Sequence, residues 1–296
     1  MPHPLTEGQL SVQTISRLSS LRTAITDLRE AGGTVALVPT MGALHEGHMS
    51  LVRLASKRAD HVVASIFVNP RQFGEGEDLD AYPRQLARDA ALLKEAGVAV
   101  LWAPDADAMY PPGYATNVSV SGVADELCGA DRPGHFDGVA TVVCKLFNQV
   151  RPDMAVFGEK DWQQLAVIRR MARDLDLAFP HVDAIIGAPI MREADGFAMS
   201  SRNAYLSPEQ REVASTLPRA MRQAIETMQQ TGECDPALRQ LRDALTSAGF
   251  GSVDYAELRD GNSLALLDTP TTGARLFVAA RIGSTRLIDN MDMSPA

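Results

Sequence analysis

His45 and His48 stand three apart in the run Pro39-Thr40-Met41-Gly42-Ala43-Leu44-His45-Glu46-Gly47-His48. Imidazoles suit hydrogen bonding to phosphate oxygens, on which charge grows as pyrophosphate departs. The apolar run Val35-Ala36-Leu37-Val38 before them predicts a strand, and Met49, Val52, Leu54 and Ala55 after them predict a helix. A helix start leaves backbone N–H groups that can cradle phosphate, and Gly47 lets a ligand approach the backbone closely. Neither the P-loop spacing nor Gly-x-Gly-x-x-Gly is present. What remains, His-x-Gly-His, points to adenylyl chemistry rather than to kinases or dehydrogenases. The histidine spacing also permits a metal pair, but no third ligand is evident nearby, so no metal-ligating residue is assigned.

Four further segments carry candidate chemistry. Phe157-Gly158-Glu159-Lys160-Asp161-Trp162-Gln163-Gln164 reads as a second strand-to-helix junction, with Asp161 as the helix N-cap and Lys160 as a compact charge for phosphates. Ala198-Met199-Ser200-Ser201-Arg202-Asn203 gathers hydroxyls, amides and a guanidinium in one loop, a set able to grip a triphosphate. Gln72, in Asn69-Pro70-Arg71-Gln72-Phe73, and Gln164 are neutral amides suited to a substrate bearing hydroxyls and a carboxylate. Arg132-Pro133-Gly134-His135-Phe136-Asp137-Gly138 reads as a basic wall or, for His135, as a turn before a helix.

These segments need elements to hold them. Strands are predicted at 34–39, 61–68, 98–103, 153–157 and 181–186, with helices at 47–59, 83–96, 138–149 and 161–175 between them. Alternating β and α units imply a parallel, doubly wound Rossmann-like sheet with ligands beyond the carboxyl ends of its strands. After about Gly187-Ala188-Pro189 the pattern changes. Helices at 207–229 and 235–248 lead into strands at 252–258, 275–281 and 285–290, turning at Gly261-Asn262 and Gly283-Ser284. The expected division is a Rossmann-like nucleotide- and substrate-binding domain, 1–187, and a smaller α+β lid domain, 188–296.

Composition narrows the class. The 296-residue chain is 45% hydrophobic and 22% charged, as in globular proteins. A net charge of −9 argues against non-specific nucleic-acid binding. Only Lys57, Lys94, Lys145 and Lys160 represent lysine among 28 basic residues, which singles out Lys160 in its loop. Cys128, Cys144 and Cys234 lack disulfide or zinc spacing, and reduced thiols in the cytoplasm are expected. Met1–Leu10 has no apolar h-region, and no run approaches the ~18 apolar residues of a membrane span.

Taken together, and in order along nearly the whole chain, these blocks resemble the pantoate–β-alanine ligase (pantothenate synthetase) family. Blocks at 65–73, 78–84, 135–139, 192–203 and 254–260 extend the likeness beyond 39–48 and 157–164. The resemblance implies an AMP-forming carbon–nitrogen ligase of the wider His-x-Gly-His nucleotidyltransferase group, cytoplasmic and homodimeric. It would condense pantoate with β-alanine to pantothenate, with ATP as co-substrate and Mg²⁺ accompanying it. Carried over by position, ATP would contact Met41, Gly42, Ala43, Leu44, His45, Glu46, Gly47 and His48. It would also contact Gly158, Glu159, Lys160 and Asp161, then Met191, and then Met199, Ser200, Ser201 and Arg202. Pantoate would sit between Gln72 and Gln164, and His48 matches the family's catalytic proton donor.

The Lys-Met-Ser-Lys-Ser loop of the wider group is here Ala198-Met199-Ser200-Ser201-Arg202, so its cationic duty passes to Arg202 and Lys160. Asp89 is a faint Mg²⁺ candidate, and Asn117–Val120 is a candidate edge for pairing in a dimer. The expected chemistry is attack of the pantoate carboxylate on the α-phosphorus, aided by His45, His48 and Lys160, then attack of β-alanine on a shielded pantoyl-adenylate. The alternative is an adenylyltransferase of the same group that keeps AMP on its product. A non-catalytic nucleotide sensor would leave the two histidines and the Ser-Ser-Arg loop without purpose.

Overall fold

The computed structural model describes residues 12–30 and 32–293, so Met1–Leu10 lies outside the described residues. Six strands form one parallel sheet: β1 (Gln13–Ile15), β2 (Val35–Thr40), β3 (His61–Ile66), β4 (Val100–Trp102), β5 (Met154–Gly158) and β6 (Ile185–Ala188). Their order is β1-β4-β3-β2-β5-β6. The winding runs outward from β2 through β3 to β4 on one side, and through β5 to β6 on the other. The carboxyl end of β2 is therefore the switch point at which such sheets bind ligands, and residues 41–48 follow it directly. The Rossmann-like, doubly wound α/β expectation matches this sheet.

Ten helices appear among the described residues: α1 (Leu18–Glu30), α2 (Glu46–Ser56), α3 (Leu86–Glu95), α4 (Ala106–Met109), α5 (Cys128–Asp131), α6 (His135–Val150), α7 (Trp162–Asp174), α8 (Pro208–Ala214), α9 (Thr216–Thr231) and α10 (Cys234–Ala248). α2 lays Leu51, Val52 and Ala55 toward the sheet, whose Ala36, Val38, Val62 and Ala64 are buried beside them. The final strands, β7 (Ser252–Asp260), β8 (Ala274–Ile282) and β9 (Thr285–Asp292), make an antiparallel sheet in sequence order. It packs on a stripe of Leu217, Met221, Ile225 and Met228 from α9, and on Leu241 and Leu245 from α10.

Contacts divide the chain into two units. The first comprises residues up to Val120, Pro133–Gly158 and Val167–Ala188. The second comprises Ser121–Arg132, Glu159–Ala166 and the chain from Pro189 onward. The chain passes for the last time from the first unit to the second between Ala188 and Pro189, and the second unit also takes in two earlier segments.

Several elements depart from expectation. β1 and α1 precede the first predicted strand. The strand predicted at 181–186 is Ile185–Ala188, because the His181 ring accepts from the Asp183 N–H at 3.3 Å and starts a 3-10 turn, Val182–Ala184. The helix predicted at 207–229 is two helices, since Pro218 cannot donate to the Ala214 carbonyl four residues back. Asn117–Val120 belongs to neither sheet. Its Val118 N–H donates to Thr141 Oγ1 at 2.9 Å instead.

Candidate active site

In the first unit, His45 and His48 form the start of α2 itself. His45 is the N-cap, with extended backbone, and its Nδ1 accepts from the Gly47 N–H at 3.1 Å. His48 reaches back so that its Nδ1 accepts from the His45 N–H at 3.4 Å. The two rings thereby build a reciprocal cap of the kind usually made by Ser and Glu, and their centroids are 4.1 Å apart. An imidazole that accepts at Nδ1 is neutral and carries its proton on Nε2. Each ring therefore presents Nε2–H as its donor edge, while protonating Nδ1 would set a donor against a donor and break the cap.

The turn before α2 is shaped from within. Gly42 (φ 84°) and Ala43 (φ 51°) are both left-handed, a conformation uncommon for alanine. Asp89, on α3 and fully buried, holds them there: its carboxylate accepts from the Ala43 N–H at 2.8 Å and the Leu44 N–H at 3.0 Å. A Cβ on Gly42 would lie 3.1 Å from the same carboxylate. The Ala43 and Leu44 amides are thus bonded within the protein. Asp89 in turn has both oxygens engaged by backbone and is unsuited to coordinate Mg²⁺.

Gln72 is buried at the end of a 3-10 turn, Pro70–Gln72, that follows β3. Its Oε1 accepts from Asn69 Nδ2 at 3.1 Å, and its Nε2 lies 3.2 Å from Met41 Sδ, which brings two sequence candidates together. Asn69, 1% exposed, also donates to the Gly138 carbonyl at 3.0 Å and accepts from Tyr110 Oη at 2.9 Å. Burial pushes the Tyr110 phenol above its ordinary value, so it remains a donor. His135 Nδ1 lies 2.7 Å from the Gln72 carbonyl oxygen, which fits a structural tie at the start of α6 rather than a basic wall. Asn69 and Tyr110 join the Gln72 network although the sequence does not single them out. Asn69 lies within the block 65–73, whereas nothing around Tyr110 marks it.

In the second unit, Lys160 sits in a 3-10 turn, Glu159–Asp161, that runs directly into α7. Asp161, expected as the N-cap, is the last residue of that turn and stands immediately before α7. Gln164 lies in the first turn of α7, half-buried. Its neighbour Gln163 is engaged structurally, donating to the Val123 and Glu126 carbonyls and accepting from the Cys128 N–H. Met191 and Met199 pair across a hairpin, with the Met199 N–H donating to the Met191 carbonyl at 2.9 Å and Arg192 bridged to Ala198. This unites two expected ATP segments that are separate in sequence. Ser200 caps the 3-10 turn Ser201–Tyr205, its Oγ accepting from the Arg202 N–H at 3.3 Å. Gln72 belongs to the first unit and Gln164 to the second.

Among the described residues no group of three or more His, Cys, Asp or Glu side chains is arranged to hold a metal. Cys128, Cys144 and Cys234 are free thiols. No helix among the described residues is long and apolar enough to cross a membrane.

The chain is similar to known proteins over nearly its whole length. The pantothenate synthetase of Novosphingobium aromaticivorans is 65% identical over 285 residues, covering 96% of this chain and 100% of its own. That of Sphingopyxis alaskensis is 58% identical over 280 residues, covering 95% and 99%. Among solved structures, the Thermus thermophilus pantothenate synthetase superposes with a TM-score of 0.90 at 49% identity, covering 96% of this chain and 100% of its own. The Francisella tularensis pantoate-beta-alanine ligase, solved with beta-gamma ATP and beta-alanine, gives 0.82 at 31% identity, covering 97% and 99%. The profile of the family described as pantoate-beta-alanine ligase matches residues 13–292, and the chain belongs to that family.

Proposed function

We propose that this enzyme makes pantothenate from pantoate and β-alanine in two steps, through a pantoyl-adenylate, with ATP as co-substrate. In the first step the pantoate carboxylate, already ionised at neutral pH, attacks the α-phosphorus and pyrophosphate leaves. In the second the β-alanine amine attacks the adenylate carbonyl and AMP leaves. The observation that carries the reading is the reciprocal histidine cap that starts α2 just beyond the switch point of the sheet, in which Nδ1 of each ring accepts and Nε2 is the proton-bearing nitrogen.

His45 and His48 hydrogen-bond the phosphoryl oxygens, His48 taking the family's proton-donor position. Lys160 and Arg202 offset charge on the departing pyrophosphate. ATP is further held by Met41–Gly47, Gly158–Asp161, Met191 and Met199–Ser201. Because the Ala43 and Leu44 amides serve Asp89, those two residues meet the nucleotide through other atoms. Gln72 and Gln164 bind pantoate, and the interlocked Asn69 and Tyr110 fix the Gln72 amide. Residues 1–187 supply the nucleotide and pantoate domain, and 188–296 the smaller domain that shields the adenylate from water. Mg²⁺ arrives as the complex with ATP. The cytoplasmic homodimer implied by the family completes the proposal.

The test supplies Mg-ATP and pantoate, with and without β-alanine, and quantifies AMP, pyrophosphate and pantothenate. AMP and pantothenate that require all three substrates are expected. Pyrophosphate without AMP would instead indicate an adenylyltransferase. A folded His48→Ala protein should lose at least about a hundredfold in kcat, and near-normal turnover would remove His48 from the mechanism.

A further inference from the structure

Strand β9 carries two adjacent buried polar residues, Asp289 (3% exposed) and Asn290 (2% exposed), which the proposed chemistry does not use. Asn290 Nδ2 donates to the Glu159 and Lys160 carbonyls, each at 2.9 Å. Its Oδ1 accepts from Arg275 Nη1 at 2.5 Å, which fixes which way the amide faces. The Arg275 guanidinium lies 3.6 Å over the Trp162 ring, and Trp162 Nε1 donates to the Gly261 carbonyl at 2.7 Å. The turn that carries Lys160 is therefore tied on both sides of that residue. Only an amide of this length fits the arrangement: aspartate lacks the donors, and glutamine adds a methylene. Asp289 meanwhile takes a bidentate bond from Arg192, at 2.7 and 3.0 Å, and Arg192 is the base of the hairpin that joins Met191 to Met199.

We propose that Asn290 is a positioning residue for Lys160, aligning it for the ATP half-reaction, an inference that rests on Lys160 acting on the phosphates as described above. Tying the carbonyls before and after the Lys160 Cα fixes the backbone torsions between them. The direction in which the side chain leaves the turn is thereby set. A lysine has four flexible methylenes, so holding its root removes much of the freedom that would otherwise oppose engagement with phosphate. Asp289 extends the same support to the hairpin, so neighbouring residues of one strand brace both ATP segments of the second unit.

The experiment is a double-mutant cycle read by pantoate-dependent ATP–pyrophosphate exchange, with circular dichroism and melting to establish folding. Asn290→Ala should slow exchange about tenfold and raise the KM for ATP, while the KM for β-alanine stays within about twofold. In a Lys160→Ala background the same substitution should cost less than about twofold, since the residue acts through a side chain already removed. An equal loss in both backgrounds, or no loss in the parent, overturns the inference and leaves the role of Lys160 intact. Normal exchange in Lys160→Ala alone would overturn that role, and the inference with it. Asn290→Asp keeps the shape and the Arg275 contact but lacks both donors. It is judged by the same criteria and decides the question if the alanine variant does not fold.

Discussion

Asp89 shows how a residue far from the chemistry in sequence can shape it. A fully buried carboxylate that accepts from two turn amides replaces the water those amides would otherwise need, and it keeps Ala43 left-handed at the entrance to α2. Asp89→Ala removes both acceptors from buried donors and should cost about 3 kcal/mol in urea unfolding. Asp89→Asn keeps one acceptor, should cost less, and should still slow pyrophosphate exchange by loosening His45. An alanine variant as stable and active as the parent would show that the turn holds its own shape. The histidine pair was legible because its spacing and the strand before it are local signals. Asp89 was not, because an acidic residue in an amphipathic helix looks the same whether it faces solvent or a loop more than 40 positions upstream. Asn69 and Tyr110 were hidden for the same reason: their meaning lies in a mutual bond and not in a pattern.

Helix α6 owes its place to Gly138. A Cβ there would meet the Arg71 carbonyl oxygen at 2.2 Å and the Gln72 nitrogen at 2.7 Å, both backbone atoms that cannot rotate aside. Gly138→Ala should therefore push the 70–72 turn away from the helix, break the Asn69–Gly138 bond, and destabilise the fold by about 2–3 kcal/mol. Because Gln72 rides on that turn, the KM for pantoate should rise at least about fivefold while that for ATP changes little. An unchanged pantoate KM in a folded variant would detach Gln72 from the substrate. At this scale the sequence was most informative where a strand, a turn signal and a periodic helix follow in order, as through β2–α2, β3 and β5–α7. It was weaker where side chains redirect the backbone. The His181 ring delays β6 by winding a 3-10 turn, and Pro218 divides one predicted helix into α8 and α9. Helix α1 does carry a readable stripe, Leu21, Ala24 and Ile25, but it lies upstream of the first predicted element.

Over the whole chain, the second unit is assembled from three stretches of sequence, and this has consequences that a division at residue 187 does not suggest. Residues 121–132 and 159–166 find their partners in the C-terminal sheet. Cys128 Sγ lies 3.1 Å from Tyr255 Oη, Arg259 bonds Glu126, and Arg286 pairs with Asp131 at 2.9 Å. Burial raises the Tyr255 phenol well above its ordinary value, so the hydroxyl stays protonated within that cluster. A fragment ending at residue 187 keeps Leu127, Cys128, Gln163 and Leu165, all buried in the intact chain, but loses these Tyr255, Arg259 and Arg286 partners. Such a fragment should bind a hydrophobic dye and melt over a broad range below the transition of the full chain. Supplying residues 188–296 in trans should restore a soluble complex with a sharp transition, because the missing partners then return together. If the fragment alone instead melts as sharply as the intact chain and at the same temperature, the two early segments owe their order to the first unit, and the C-terminal sheet only rests on them.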